Sequence, residues 1–297
     1  MTRTAVQNSV DKGYSRIQVA PIAGALGAEI QGVDLAAGID AETFSEIRQA
    51  WLEHSVVFFR GQNRMTPDDH LAFAKRFGDI HRHLFNKAMK GYPEITELLK
   101  RPDQKLNSGG RWHSDQMYTP QPAKATILLA REVPSHGGDT MFSSMYRAYE
   151  TLSDGMKAML SGLRAISNGD NRNNPSGMTR QERVAAGIAQ IAQIDPGAAQ
   201  TVSSHPVIRT HPETGRKLLY VGGHTERIDG WTEAESRPLL KYLLDHAARP
   251  EFVCRFRWTE GAMALWDNRC TQHFAINDYF GRQRRMHKIM VKGDTPF

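Results

Sequence analysis

Two short stretches that lie far apart in this 297-residue chain carry side chains able to bind one transition metal. The first is His113-Ser114-Asp115, and the second contains a lone His273. Two imidazoles and one carboxylate can occupy one face of an octahedral metal and leave three positions open, which is the ligand set of non-haem Fe(II) oxygenases. On a strand, residues i and i+2 point to the same side, so His113 and Asp115 can reach one ion while Ser114 faces away. The pattern therefore predicts a metal site that two distant segments build together.

A histidine two residues before an acid is a weak signal by itself, because the chain contains two further examples. His211-Pro212-Glu213 and His224-Thr225-Glu226 have the same spacing. The first opens a stretch with Pro and Gly that is typical of a turn between strands. The second follows two glycines in a stretch that is typical of a loop. We therefore expect His211 and His224 to be turn or solvent-exposed histidines and not metal ligands.

The formal net charge of +6 and the sequence pI near 9.3 raise the question of nucleic-acid binding. The lysines and arginines are scattered, however, and no basic run is interleaved with aromatic side chains. A surface of this kind attracts small anionic molecules. We expect a small anionic partner and no nucleic acid.

The two cysteines, Cys254 and Cys270, exclude a disulfide scaffold and a Cys-x-x-Cys metal site. Cys254 alternates with aromatic residues and is expected on a buried strand. Cys270 is close in sequence to His273 but is expected to be a packed thiol. The first residues are polar and lack the apolar core of a signal peptide, and no apolar stretch is long enough to cross a membrane. A cytoplasmic protein without a membrane segment is expected.

Periodicity predicts one β-rich domain with a few helices, in which residues 1–15 are flexible and residues 16–297 are folded. Asp40 is expected to cap a helix, and Thr66-Pro67-Asp68-Asp69 to open another. A turn-rich run followed by a helical patch at about residues 168–204 is interpreted as a lid over the mouth of a barrel, with a surface loop as the alternative. Helices are predicted at 41–54, 66–77, 145–163 (two, broken near 153–155) and 232–248, and strands at 17–19, 28–33, 56–59, 126–130, 252–258, 262–266 and 286–291.

Further motifs surround the three candidate metal ligands. In chain order they are LGAEIQGVDL (26–35), VVFFRGQ (56–62), FAKRFG (73–78), WHSD (112–115), PSHGGDT (134–140), HPVIRTHP (205–212), WDNRCTQH (266–273) and the stretch from 278 to 294. Together they resemble the taurine dioxygenase / 2,4-D dioxygenase (TauD/TfdA) family of Fe(II)- and 2-oxoglutarate-dependent dioxygenases. The resemblance extends over nearly the whole chain.

The resemblance implies a double-stranded β-helix, or jelly roll, with helices packed on one sheet. It implies that the two histidines and the aspartate bind Fe(II), and that Arg284, assisted by the hydroxyl of Thr140, binds the distal carboxylate of 2-oxoglutarate. A guanidinium suits this task because it is planar, charged and fork-shaped. Arg285 would face the other side of its strand. The implied reaction consumes O2 and 2-oxoglutarate, releases succinate and CO2, and hydroxylates a prime substrate.

The resemblance is weakest at the positions that bind the substrate. In taurine dioxygenase a histidine, a tyrosine, an asparagine and an arginine surround the aminosulfonate, and the matching residues here are His83, Asn86, Gly109 and Lys288. Because only the histidine is kept, taurine is not expected. We expect another small organic anion, such as a sulfonate, an alkyl sulfate or an aryloxyalkanoate. Lys288 would supply the cation, and Gly109 would leave room for a bulkier group.

A different function class stays open at this point. Jelly rolls also serve as metal-dependent hydrolases, as isomerases and as non-catalytic binding proteins. A hydrolase would need a third histidine near the first pair, and His81-Arg82-His83 keeps that alternative open. A homo-oligomer, either a dimer or a tetramer, is also expected.

Overall fold

The computed structural model describes residues 13–82, 88–107, 109–170, 172, 176–186 and 201–297, and within them the protein is mainly β-structure with a few helices. The strands are β1 (Gln18–Pro21), β2 (Ala28–Gln31), β3 (Val56–Phe59), β4 (Ile80–His81), β5 (Ala88–Met89), β6 (Tyr92–Lys100), β7 (Ala125–Glu132), β8 (Thr140–Ser144), β9 (Arg164–Asn168), β10 (Val202–Pro206), β11 (Ile208–Thr210), β12 (Lys217–Leu219), β13 (Thr225–Ile228), β14 (Val253–Phe256), β15 (Met263–Asp267), β16 (Thr271–Ala275) and β17 (Arg284–Val291). The α-helices are α1 (Ala41–His54), α2 (Pro67–Lys75), α3 (Met145–Glu150), α4 (Asp154–Leu160), α5 (Arg180–Ala185) and α6 (Glu233–Ala247). Among the described residues, no helix combines the length and the apolar character needed to cross a membrane.

The largest sheet has nine strands in the order β1-β2-β3-β15-β7-β17-β6-β5, with β4 paired to β17. Its pairs are antiparallel, apart from the parallel pair β2–β3. The middle strands are almost entirely buried. A sheet this apolar needs cover on both faces.

The two faces of the large sheet belong to two different hydrophobic cores. In β3, Val57 and Phe59 pack towards α1 and α2, whereas Val56 and Phe58 point to the opposite face, as the period of two requires. The second face is covered by the three-stranded sheet β14-β8-β16. Phe58 stacks on Phe256 of β14 with ring centroids 4.0 Å apart. Burying a side chain of this size contributes roughly 1.5–3 kcal/mol, so this core holds the two sheets together.

The two helices that cover the first face begin where the sequence predicts. The side chain of Asp40 accepts from the backbone N–H of Thr43 and caps α1, which has the predicted bounds. A capping box between Thr66 and Asp69 opens α2. The predicted helix extends two residues too far, because the chain leaves α2 after Lys75.

A third core lies beside these layers and is built from α3, α6 and the short strands around them. The predicted break between two helices is present, since α3 ends at Glu150 and α4 begins at Asp154. Within the predicted lid at 168–204, the described parts are the end of β9, the segment that contains α5, and the start of β10. Much of that range, including residues 187–200, lies outside the described residues.

Two local predictions differ from the structure. Residues 225–228 read as a loop but form β13, because they pair with β9 in the small sheet β10-β9-β13. Tertiary pairing here outweighs local composition. The predicted strand around His113 is only an isolated bridge, followed by a turn.

Candidate functional site

The three side chains of the predicted metal site lie together, and we call them the metal group (His113, Asp115 and His273). His273 is in β16, and His113 pairs with it through two backbone hydrogen bonds of 3.1 and 2.9 Å. Asp115 lies in the turn that follows. The Nε2 atoms of both histidines are 3.9 Å from Oδ1 of Asp115, and the three ligand atoms lie within 4.8 Å of one another. A bridge and a turn, and not a strand, therefore bring the two distant segments to one point.

Both histidines are held in the protonation state that metal binding requires. Burial lowers the pKa of His113 to about 4 and lowers the pKa of His273 well below its usual value. Both rings are therefore neutral near pH 7. Nδ1 of His113 lies 2.8 Å from the carbonyl oxygen of Arg111. Because a carbonyl oxygen only accepts, Nδ1 carries the proton and Nε2 offers its lone pair to a metal.

A chain of buried hydrogen bonds fixes Oδ2 of Asp115. Thr126 in β7 donates its hydroxyl proton to Oδ2 at 2.7 Å, and Nδ2 of Asn268 donates to the same hydroxyl at 2.8 Å. Oδ1 of Asn268 accepts from the indole N–H of Trp266 at 2.9 Å and from the backbone N–H of Asp115 at 3.2 Å. These two donors set the orientation of the amide. Oδ1 of Asp115 faces the histidines and is the oxygen that would reach a metal.

Lys288 in β17 lies directly beside the metal group. Its Nζ donates to Oδ1 of Asp115 at 2.6 Å, and both side chains are buried. Burial opposes ionisation of the carboxyl group, but the adjacent ammonium of Lys288 outweighs it and holds the pKa of Asp115 far below its usual range. An ammonium group has three N–H donors. Lys288 therefore keeps donors for a further partner.

The two residues predicted to bind 2-oxoglutarate share Trp258 as a neighbour. The guanidinium of Arg284 is 5.7 Å from the Trp258 ring, and the Trp258 indole N–H donates to Oγ1 of Thr140 at 3.0 Å. Arg284 is buried, and its Nε has no hydrogen-bond partner in the described part of the chain. The next residue, Arg285, is exposed, as predicted. A buried guanidinium with an unpaired donor, near a hydroxyl whose proton is still available, fits a carboxylate.

The backbone at Gly138 passes close to the side chain of Arg284. Gly138 has φ of 73°, and a Cβ at this position would lie 3.3 Å from Cδ of Arg284 and 3.2 Å from Cδ1 of Tyr279. Burial lowers the pKa of Arg284, while nearby Tyr279 and Asp139 oppose that shift.

A second cluster with ligand-type side chains has a different construction, and we call it the ion-pair group (His211, Asp267 and Cys270). Asp267 accepts from Nε and Nη2 of Arg269 at 2.9 and 2.6 Å and from Nε2 of His211 at 3.0 Å. Nδ1 of His211 accepts two backbone N–H groups, those of Glu213 and the following residue. Burial raises the pKa of the Cys270 thiol. His211 lies in the turn between β11 and β12, as predicted, but it is buried within this hydrogen-bonded group and not in solvent.

His224 is also buried and not in solvent. Its ring centroid is 5.9 Å from that of His113, and NH2 of Arg111 lies 2.7 Å from its Nδ1. It belongs to neither ligand-type cluster found among the described residues. His81, which kept a hydrolase site open, is likewise in neither cluster.

The four predicted substrate positions divide between the described and undescribed parts of the chain. His83 and Asn86 lie outside the described residues, whereas Lys288 and Gly109 lie at the metal group. A Cβ on Gly109, whose φ is 86°, would be 3.3 Å from Cε1 of His113. Because Gly109 has no side chain, its backbone can lie close to the ring of His113.

Sequence reasoning did not identify the residues that orient Asp115. Asn268 lies in the stretch that ends at His273, and an amide side chain so close to Trp266 could have indicated a buried hydrogen-bonding role. Thr126 occupies an inward-facing position of an apolar strand, and a lone hydroxyl there was a weaker signal.

The chain is similar to known proteins over nearly its whole length. The model described as "Taurine catabolism dioxygenase TauD, TfdA family" matches residues 18–290. An alkylsulfatase from Acinetobacter baylyi is 33% identical over 98% of this chain and 89% of its own length. An alpha-ketoglutarate-dependent sulfate ester dioxygenase from Pseudomonas putida is 31% identical over 94% and 91%. A (S)-phenoxypropionate/alpha-ketoglutarate-dioxygenase from Sphingobium herbicidovorans is 33% identical over 93% and 95%.

Solved structures give the same relationship. A taurine dioxygenase from Burkholderia xenovorans superposes with a TM-score of 0.77 at 34% identity, covering 95% of this chain and 91% of that one. AAD-2, solved in complex with Mn(II) and N-oxalylglycine, has a TM-score of 0.75 at 28% identity, covering 94% and 98%.

Proposed function

Because this chain belongs to the TauD, TfdA dioxygenase family, we propose that it hydroxylates a small organic anion at an iron centre bound by His113, Asp115 and His273. It is an Fe(II)- and 2-oxoglutarate-dependent dioxygenase. The observation that carries the assignment of the centre is the metal group, with two neutral imidazoles facing one oxygen of a buried carboxylate. With iron, 2-oxoglutarate and O2 bound, such a centre supplies an oxidant for the substrate while 2-oxoglutarate becomes succinate and CO2.

The protein's own contribution to this chemistry is orientation and charge. The proton on Nδ1 of His113 leaves Nε2 as the atom that would bind the metal. Thr126 occupies Oδ2 of Asp115, so Oδ1, which also accepts from Lys288, is the oxygen that would bind it. Three protein ligands leave three metal positions for the cosubstrate and dioxygen.

We assign the distal carboxylate of 2-oxoglutarate to Arg284 and Thr140. The unpaired Nε of a buried guanidinium supports this assignment, since an unpaired buried donor costs free energy until a ligand accepts from it. The hydroxyl proton of Thr140 would add one further bond, because its oxygen already accepts from Trp258.

The prime substrate is proposed to be a sulfonate, a sulfate ester or an aryloxyalkanoate. The named relatives act on sulfate esters and on phenoxypropionate, and both classes carry an acid group. Lys288 is the proposed cation for that group, with His83, Asn86 and Gly109 completing the pocket. Measurement of succinate release across a panel of sulfonates, alkyl sulfates, aryloxyalkanoates and taurine tests this proposal. Stimulation by an anion other than taurine is expected. Efficient turnover of taurine, or turnover of neutral or cationic compounds alone, would contradict it.

Several finer expectations accompany this proposal. The two facing sheets support a double-stranded β-helix, and we propose that residues 16–297 form this single domain. The lid at about 168–204, the dimeric or tetrameric assembly and the cytoplasmic location stay predictions.

A further inference from the structure

Lys100, the last residue of β6, is a buried cation that has no role in the site described so far. The residue is 6% exposed. Its Nζ donates to Oδ1 of the Asn277 amide at 2.8 Å, and no carboxylate of the described residues forms an ion pair with it. A lysine is almost never buried to this extent without a counter-ion, because an uncompensated charge is costly to remove from water.

The sheet places Lys100 beside Arg284, the residue assigned to 2-oxoglutarate. The two are direct partners in the antiparallel pair of β6 and β17, so their side chains leave the sheet on the same face. The next partners on that face, Leu98 and Met286, pack into the core between the two facing sheets. Two buried positive side chains therefore occupy neighbouring positions at one end of this core.

Tyr279 is a neighbour of both cations. Nζ of Lys100 lies 4.0 Å from the centroid of the Tyr279 ring. A Cβ at Gly138 would contact both Cδ1 of Tyr279 and Cδ of Arg284, so these two atoms lie close to the same point. Burial lowers the pKa of Lys100, and the positive charge of Arg284 lowers it further. The two cations are thus close enough to repel each other.

The free donors of this pair match an anion. Nε of Arg284 has no partner in the described part of the chain. The ammonium group of Lys100 has three N–H donors, of which Asn277 uses one. The nearby carboxylate of Asp139 already accepts from Arg255 at 2.7 Å. A bound carboxylate would therefore compensate two buried charges that the described residues leave without an ion pair.

We propose that Lys100 is a second cation for the distal carboxylate of 2-oxoglutarate and makes the site selective for a dianionic keto acid. This inference rests on the proposed function. The guanidinium of Arg284 offers a planar fork of donors, whereas Lys100 adds a point charge that Asn277 and Tyr279 hold in place. A keto acid that ends in a methyl group would leave both cations buried and unpaired, so the pair disfavours it.

The test compares two keto acids that differ only at the distal end. They are 2-oxoglutarate and 2-oxopentanoate, which carries a methyl group in place of the distal carboxylate. Each is titrated without oxygen into the Fe(II)-loaded protein, and the charge-transfer band reports its Kd. Lys100→Met keeps an unbranched side chain and removes the charge. It should raise the Kd of 2-oxoglutarate roughly tenfold, as expected for one lost bond to a charged group, and leave that of 2-oxopentanoate nearly unchanged.

Two further variants separate charge from packing. Lys100→Arg keeps the positive charge and should retain most of the affinity for 2-oxoglutarate. Lys90→Met removes an exposed lysine from the turn between β5 and β6 and should behave as wild type. Binding of one Fe(II) per chain without a keto acid shows that the metal group of each variant is intact.

Three results overturn the role of Lys100. They are an unchanged 2-oxoglutarate Kd in Lys100→Met, equal weakening of both keto acids, which a packing role would produce, and a Lys100→Arg protein as weak as Lys100→Met. In each case the band of the wild-type protein leaves the proposed function standing. If the wild-type protein forms no band with Fe(II) and 2-oxoglutarate, the proposed function itself fails.

Discussion

The metal group and the ion-pair group have similar compositions but differ in the hydrogen bonds of their histidine nitrogens. Each contains a buried aspartate next to histidine, and the ligand atoms of each lie within 4.8 Å of one another. In the ion-pair group, Arg269 and His211 occupy the oxygens of Asp267, and backbone N–H groups occupy the remaining nitrogen of His211. In the metal group, Thr126 and Lys288 donate to the oxygens of Asp115, but no described residue forms a hydrogen bond to Nε2 of either histidine.

Saturation of the histidine nitrogens with hydrogen bonds, and not residue type, therefore separates a structural cluster from a binding site. A buried polar group is normally paired, so the ion-pair group is complete without a ligand. The metal group combines two neutral imidazoles with an ionised carboxylate, which is the state that a divalent cation requires.

Removing a metal-group histidine should abolish metal binding. His113→Ala and His273→Ala each leave two ligands, and we expect no stoichiometric Fe(II) in equilibrium dialysis and no succinate formation. His224→Ala, which removes a buried neighbouring histidine outside the metal group, is the control and should still bind one Fe(II) per chain. Loss of metal in the control together with retention in His113→Ala would reverse the assignment.

Breaking the ion-pair group should affect stability and not metal stoichiometry. Asp267→Asn leaves the buried Arg269 without its main partner, which costs about 3 kcal/mol of unfolding free energy, measurable by urea denaturation. Burial opposes ionisation of Asp267, but Arg269 and His211 hold its pKa below the usual value. The stabilisation is therefore present above about pH 4 and declines as the pH falls further. Fe(II) binding lost from a folded Asp267→Asn protein would show that the two groups are not separate.

Removing the guanidinium that is assigned to 2-oxoglutarate should weaken the binding of 2-oxoglutarate and leave Fe(II) binding unchanged. Arg284→Ala removes a charge-assisted bond worth about 1.5–3 kcal/mol, which raises the 2-oxoglutarate Kd roughly tenfold or more. Calorimetry in the presence of Fe(II) measures this change. Arg285→Ala, the exposed neighbour on the same strand, should bind like wild type. An unchanged Kd in Arg284→Ala would exclude Arg284 from the site.

The smallest effect is expected from the residue that orients Asp115. Thr126→Val removes the donor to Oδ2, and loss of such an outer hydrogen bond weakens metal binding by about tenfold. Thr126→Ser keeps the hydroxyl and should restore most of the affinity, whereas a purely packing role for Thr126 would favour the valine. Equal Fe(II) affinity in all three proteins would show that the hydrogen bond does not matter.

The sequence predicted those features whose cause is local or carried by a motif. The N-cap residue Asp40 and the capping box that begins at Thr66 predicted where two helices start. The family resemblance predicted that Arg284 and Arg285 face opposite sides of their strand, and Arg285 is exposed. Features that depend on pairing were missed. β13 forms because of β9, and the Asp115 hydrogen bonds join Thr126 to Asn268 across more than a hundred residues. The hydrophobic periodicity of a sequence does not predict such contacts, because they form only when strands that are distant in the sequence pair or pack together.

The metal group, and no other cluster of the described residues, is proposed to hold the Fe(II) to which 2-oxoglutarate binds. The most direct measurement is an anaerobic titration of Fe(II) into the protein with 2-oxoglutarate, followed by visible absorption. We expect a weak charge-transfer band that saturates at one Fe(II) per chain, is absent with Zn(II), and is absent in His113→Ala. A wild-type protein without the band, or a His113→Ala protein that retains it, would contradict the claim.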